Sequence, residues 1–262
     1  MCAMNQELWL RQFFPAPEAS VRVVLLPHSG GSATFYLPIA RALAPVADVY
    51  AVQYPGRQDR RDEEPLRDLR TLAGLVAEVL KPGLDRPLVL FGHSMGATLA
   101  FELAQRIPVA HLIVSGVRAP SHPLTDTVRL TSDDDLLAAV GALGGTNADV
   151  MADDELRALI LPPLRADYVA AETYRWRSGP PLDTPITVCI GDSDPKTTVE
   201  QARAWAGHTT APTTVEVFSG GHFYLVEHQE QVAETVARGV RLVTPGGHVS
   251  EEPDHAVNQR RS

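Results

Sequence analysis

The sequence predicts an α/β protein built on a mostly parallel central sheet with helices on both faces. Three observations carry that prediction. Short apolar runs alternate with helical patterns along most of the 262 residues. One of those runs, Pro87-Leu88-Val89-Leu90-Phe91, leads into Gly92-His93-Ser94-Met95-Gly96 and then a helical stretch through Ala104. Two later runs end in an acidic loop and in a glycine-histidine loop.

Val21 to Leu26 and Ala47 to Val52 read as strands, rich in β-branched and apolar residues. Between them Phe35 to Leu43 has helical spacing, with Pro38 tolerable only near the helix start. Leu69, Leu72, Val76, Val79 and Leu80 form the apolar face of a helix that Pro82-Gly83 stops. Past Pro108, His111 to Gly116 is a further strand, and Ile186 to Ile190 and Thr214 to Phe218 are two more. A closing helix runs from about Gln229 to Val243.

The alternation breaks between Pro120 and Leu182. Ser132 is placed to cap a helix whose first turn holds three aspartates, which suits the positive end of the helix dipole. That helix is expected to end at Gly144-Gly145, a second to span Asp153 to Leu161, and a third to run from Leu164 to Trp176 once Pro162-Pro163 has broken the chain. Helices inserted after a strand, with no new strand among them, suggest a lid over the active edge of the sheet. The expected organisation is a core of 1–119 and 183–245, a helical lid at 120–182, and a disordered polar tail at 246–262.

Composition narrows the function. A net charge of −9 disfavours nucleic-acid binding, which needs a concentrated basic face. No apolar run approaches a membrane span, and the first residues lack the basic and apolar regions of an export signal. Two cysteines, Cys2 and Cys189, without metal spacing fit a reducing, cytoplasmic setting, and Cys189 reads as a small buried thiol in its strand. The histidines show no paired zinc spacing, so neither a metal nor a cofactor is expected. Nothing in the sequence requires more than a monomer.

The strand–G-x-S-x-G–helix pattern is a nucleophile elbow, where a strained turn lifts a serine hydroxyl clear of the sheet's carboxyl edge. Serine is a weak nucleophile at neutral pH and needs a base, which in turn needs an orienting group. Downstream of Ser94, the loop Gly191-Asp192-Ser193-Asp194-Pro195 and the loop Ser219-Gly220-Gly221-His222-Phe223 leave the same edge, in the chain order serine, acid, histidine. His222 is the expected base. Asp194 is preferred as the acid because it lies farther out on its loop, and Asp192 is expected to cap backbone amides. Two donors are needed for the oxyanion of a tetrahedral intermediate. The backbone N–H of Met95 is one, and the N–H of Ser29, in the glycine-rich loop Pro27 to Ala33, is the other. That loop lacks the lysine and spacing of a phosphate-binding loop, which argues against a nucleotide. His28 and His93 flank the site and are expected to hydrogen-bond structurally rather than to transfer protons. A fully formed site argues against a catalytically idle scaffold, whereas a generic carboxylesterase stays open at this point.

Pro27-His28-Ser29-Gly30-Gly31-Ser32-Ala33, Tyr54-Pro55-Gly56-Arg57, the elbow, Leu161-Pro162-Pro163-Leu164-Arg165-Ala166-Asp167-Tyr168, Gly191 to Pro195 and Gly220 to Phe223 together resemble the stand-alone type II thioesterases of polyketide synthases and nonribosomal peptide synthetases. The likeness covers about residues 8 to 243. Ser29 stands where these enzymes often carry alanine, a harmless difference for a backbone donor. The resemblance implies an α/β-hydrolase fold with Ser94, Asp194 and His222 as catalytic triad. It also implies an editing role, with an acyl group on the phosphopantetheine arm of an acyl or peptidyl carrier protein as substrate. Carrier proteins are typically acidic, so Arg57, Arg60, Arg61 and Arg118 are weighed as a local docking patch against an ordinary solvated charged face.

Overall fold

A computed structural model describes residues 5–122, 128–145 and 153–244. The tail expected to be disordered, and Cys2, lie outside the described residues.

The chain enters through a one-turn helix, α1 (Gln6–Trp9), and a two-residue strand, β1 (Leu10–Arg11). The six expected strands then form as β2 (Arg22–Leu26), β3 (Asp48–Val52), β4 (Leu88–His93), β5 (His111–Ser115), β6 (Ile186–Gly191) and the half-exposed β7 (Thr213–Phe218). They pair in the order β1-β3-β2-β4-β5-β6-β7, all parallel except β1, which runs antiparallel to β3. The helices between them are α2 (Leu37–Leu43), α3 (Leu69–Leu80) and α4 (Met95–Ala104). Pro38 sits in the first turn of α2, where its missing N–H has no helical acceptor to lose.

Period-two alternation assigns each strand residue to one of two cores. Val24, Leu26, Leu90, Leu112, Val114, Val188 and Ile190 face α3 and α4. Their neighbours Val23, Leu25, Val89, Phe91, Ile113 and Cys189 face α2 and the closing helix, which runs Gln229–Val243. Cys189 is a buried free thiol, and burial raises its pKa, so it behaves as a small apolar residue.

After β2 the chain steps to β3 on one side, then returns to place β4 on the other. Loops diverge above the carboxyl ends of β2 and β4, which is where open parallel sheets bind ligands.

Between β5 and β6 lie α5 (Asp133–Ala142) and α6 (Asp154–Thr173). Ser132 caps α5 by accepting from Asp135 N–H, as expected. The expected break at Pro162-Pro163 does not occur. One helix of 20 residues runs through both prolines. Proline in a helix interior removes hydrogen bonds and costs about 3 kcal/mol, but anchors on both sides of the pair hold the axis continuous. Asp153 accepts from Glu155 and Leu156 N–H at the start. Leu164 packs with Leu136, Leu137 and Val140 of α5, and Arg165 Nε donates to Asp133 Oδ1 at 3.0 Å. Near the far end the buried Glu172 carboxylate accepts from Val128 and Arg129 N–H at 3.0 and 2.9 Å. Tyr174 OH, just past the helix, donates to Glu102 of α4 at 2.7 Å.

After β6 come α7 (Val199–Arg203), opened by a capping box between Thr198 and Gln201, then β7, α8 (Tyr224–Glu227) and α9 (Gln229–Val243). Among the described residues no helix is long and apolar enough to cross a membrane.

Candidate active site

Ser94 follows β4 with φ 54° and ψ −119°, a backbone region that residues with side chains avoid. Two close approaches make so sharp a turn possible. A Cβ on Gly92 would lie 2.1 Å from the Gly96 carbonyl oxygen, and a Cβ on Gly96 would lie 2.1 Å from that of Leu26. The Ser94 N–H donates to Ser115 O at 2.8 Å, tying the turn to the end of β5.

The two later loops are stitched to each other before either reaches the serine. Asp192 N–H donates to Phe218 O at 2.8 Å, Ser193 N–H to Gly220 O at 3.0 Å, and Gly220 N–H to Asp192 Oδ1 at 3.0 Å. Asp192 therefore caps a backbone amide, as its position suggests. Asp194 reaches farther: its Oδ1 accepts from Lys196 N–H at 2.8 Å, and its Oδ2 meets His222 Nδ1 at 2.9 Å. A carboxylate only accepts, so Nδ1 carries the proton and Nε2 of the neutral ring is left as an acceptor. That Nε2 faces Ser94 Oγ at 3.1 Å. The three side chains expected to meet do so, across 128 positions of sequence between Ser94 and His222.

Ser94 and His222 open into a cleft that encloses about 730 Å³ including its mouth, lined also by Ser29 and Met95. Met95 begins α4, so its N–H has no acceptor within the helix and sits at the positive end of the dipole. Val140 of α5, Leu143 just after it, and Tyr168, Ala171 and Glu172 of α6 complete the walls. A second depression, bordered by Tyr174, Arg175 and Trp176, shares Thr98, Val117 and Arg118 with the first.

Two further imidazoles stand beside His222. The His93 ring lies 4.9 Å from it, centroid to centroid, and His93 Nδ1 meets Ser115 Oγ at 2.9 Å, which in turn meets Tyr224 OH at 2.7 Å. His93 thus has the structural hydrogen bond expected of it. Ser115 and Tyr224 are not legible in the sequence, because nothing local marks a serine at a strand end or a tyrosine in a short helix as partners. His28 departs from expectation: its buried Nδ1 has no hydrogen-bond partner, and the ring instead packs edge-on against Phe35 and Phe223. Both rings are held neutral, mainly by burial. Charge arising on His222 therefore meets no permanent like charge in these rings.

Burial, then the nearby His222 and Arg57, lower the His28 pKa from 6.5 to about 3. The unfolded chain binds that proton more readily, so His28 favours the folded state fully above pH 6.5. The advantage drains away as pH falls from 6.5 towards 3, by about 1.4 kcal/mol per pH unit. Denaturant melts at a series of pH values across that window are expected to show a shallower loss of stability in His28→Leu than in the wild type. Parallel lines would remove His28 from the account.

The arginines correct the docking patch. Arg57 and Arg60 are buried and paired, with Asp167 and Glu63 respectively, so they form neither a docking surface nor a solvated face. Their guanidinium groups lie over the rings of Tyr54 and Trp9. Arg61 is exposed, and Arg118 lines the cleft. Among the described residues no group of three or more metal-ligating side chains comes together.

The family model described as "Thioesterase domain" matches residues 21–239. This chain belongs to the thioesterase family. The thioesterase is 41% identical over 263 residues to "Thioesterase PikA5" of Streptomyces venezuelae, covering 98% of this chain and 92% of that one. It is 46% identical over 237 residues to "Probable cadicidin biosynthesis thioesterase" of Streptomyces griseus, covering 88% of this chain and 66% of the relative's length. The solved structure of the type II thioesterase BorB from the borrelidin biosynthetic cluster superimposes with a TM-score of 0.84 at 49% identity, over 90% of this chain and 99% of that one. The thioesterase accordingly has the α/β-hydrolase fold and is a hydrolase of thioesters.

Proposed function

We propose that the thioesterase removes acyl groups from the phosphopantetheine arm of acyl or peptidyl carrier proteins, clearing stalled or misprimed synthases. The observation that carries this is the unbroken line Ser94 Oγ–His222 Nε2, His222 Nδ1–Asp194 Oδ2, opening into a cleft beside Ser29 and Met95. Ser94 is the nucleophile, His222 the general base and acid, and Asp194 the carboxylate that fixes the ring. The backbone N–H groups of Ser29 and Met95 are the oxyanion donors.

In the first step Ser94 Oγ attacks the thioester carbonyl carbon while His222 Nε2 takes the hydroxyl proton. The tetrahedral intermediate collapses, the C–S bond breaks, and the proton passes to the departing thiolate. Water, deprotonated by His222, then attacks the acyl-serine, and the proton returns to Ser94 as the free acid leaves. Asp194 stabilises the imidazolium formed in each half.

α5 and α6 serve as the lid, since both contribute walls to the cleft that holds Ser94. The carrier stays outside, and its flexible arm threads beneath them. The names of the relatives, cadicidin biosynthesis and the borrelidin cluster, place those proteins in biosynthetic pathways of this kind. Rates on an acyl-carrier thioester and on a matched oxygen ester test the substrate class. The thioester is expected to be favoured at least about tenfold in kcat/KM, a difference of about 1.4 kcal/mol in transition-state stabilisation. Equal values would make the protein a general esterase.

A further inference from the structure

The loop that brings Ser29 to Ser94 is held at its ends by the core and in its middle by something else. At its start, Tyr36 OH donates to Leu26 O and Tyr54 OH to Pro27 O, each at 3.0 Å. At its end, Ala33 N–H donates to Gln53 Oε1 at 2.9 Å. The middle, Gly30-Gly31, is held through Arg57 and Asp167. Gly30 N–H donates to Asp167 Oδ2 at 2.7 Å, and Arg57 Nη1 donates to Gly31 O at 3.0 Å. The two side chains also form a two-pronged ion pair, Nη1 to Oδ2 at 2.7 Å and Nη2 to Oδ1 at 2.9 Å, with exposures of only 6% and 3%.

Asp167 belongs to α6, not to the sheet. Gly30, with φ +75°, lies directly under that helix: a Cβ there would come 2.8 Å from Leu164 Cδ1. One carboxylate of the inserted helix thus accepts three N–H donors, one of them the amide next to Ser29. A buried ion pair is a poor way merely to hold a helix down, because desolvation offsets most of its attraction and an apolar pair would do as well. An apolar pair cannot accept the Gly30 N–H. Charge-assisted hydrogen bonds of this kind are short and directional, which is what placing an amide demands.

We propose, resting on the assignment of Ser94 and the Ser29 amide made above, that Asp167 is a positioning residue. It sets the Ser29 N–H in place through Gly30 and Arg57, so the oxyanion site is complete only while α6 is seated on the loop. Binding of substrate in the ground state needs little of this. Stabilising the tetrahedral oxyanion depends on it, since an oxyanion donor acts only from its correct place.

The test compares wild type, Asp167→Asn, and the double variant Arg57→Met/Asp167→Leu. It reads kcat and KM on an acyl-pantetheine thioester, inhibition by an alkyl boronic acid, and thermal melting. The boronate forms a tetrahedral adduct on Ser94 with an oxygen in the oxyanion site. Asp167→Asn keeps one oxygen for Gly30 N–H but turns an NH₂ against the Arg57 guanidinium, which breaks the two-pronged pair. It is expected to lose on the order of 10- to 100-fold in kcat with KM within about threefold, and to bind the boronate correspondingly more weakly. The double variant leaves no unpaired charge, but Gly30 N–H and Gly31 O lose their partners, so it is expected to melt somewhat below the wild type and to stay as slow as Asp167→Asn. If the double variant recovers both melting temperature and kcat, the pair is only structural and the proposal falls. It falls equally if the losses lie in KM alone. A wild-type enzyme that hydrolyses thioesters but forms no boronate adduct on Ser94 would instead overturn the site assignment beneath it.

Discussion

Replacing Ser94 with alanine is expected to lower thioester hydrolysis by a factor on the order of 10⁴ to 10⁶ while the protein melts at or slightly above the wild-type temperature. The size follows from the role. Without Oγ there is no acyl-enzyme, and what remains is the contribution of binding and of the oxyanion donors, typically 10³- to 10⁴-fold over water. The stability follows from the surroundings. Ser94 has φ 54°, a conformation no easier for alanine, and the side chain contributes one hydrogen bond, to His222 at 3.1 Å. Removing a polar group from a strained functional position commonly leaves stability unchanged or improved. Single-turnover assays on an acyl-carrier thioester, together with a thermal melt, check both halves. Undiminished turnover in a folded Ser94→Ala protein would end the serine mechanism.

The second large effect separates the two aspartates of one loop. Asp194→Asn is expected to reduce kcat by about 10⁴-fold, because the carboxamide can present its NH₂ to His222 Nδ1. The ring proton would then move to Nε2, which could no longer accept from Ser94 Oγ. Asp192→Asn is expected to stay within about fivefold of wild type, since an amide oxygen can still accept from Gly220 N–H, the bond that Asp192 Oδ1 makes at 3.0 Å. Parallel kcat measurements decide the matter, and the reverse ranking would transfer the orienting role to Asp192. The geometry makes the contrast sharp: Asp194 Oδ2 is 2.9 Å from the imidazole, whereas Asp192 is spent on holding the histidine loop against its own.

Much of this is readable along the chain because it depends on near neighbours. The six parallel strands appear within one or two residues of where the sequence places them. The interior ones are largely continuous apolar segments, as buried parallel strands must be, and the half-exposed edge strand β7 is marked by its β-branched residues. The elbow is legible for the same reason: strand, tight turn and helix are consecutive, and both glycines sit where backbones come within 2.1 Å of a missing Cβ. The preference for Asp194 over Asp192 rests on reach along one loop, again a local property. β1 leaves no such signal, because two residues, Leu10–Arg11, carry no periodicity. The capping box at Thr198 and Gln201 is visible in principle but encloses a helix of only five residues.

The sequence alone determined the six parallel strands, though not β1, and which loops would carry the serine, the acid and the histidine, because period, turn chemistry and chain order are short-range matters. Tertiary structure decided the rest. It carried α6 unbroken through Pro162-Pro163, where anchors at Asp153, Arg165, Glu172 and Tyr174 outweigh a proline's local preference. It turned Arg57 from an apparent surface cation into a buried partner of Asp167, 110 residues away, and built the His93–Ser115–Tyr224 chain beside His222. The physical reason is common to these cases. Whether a charge is buried, a helix kept straight or a hydroxyl engaged depends on the free energy of groups that meet only when distant segments pack, and no local pattern encodes that meeting.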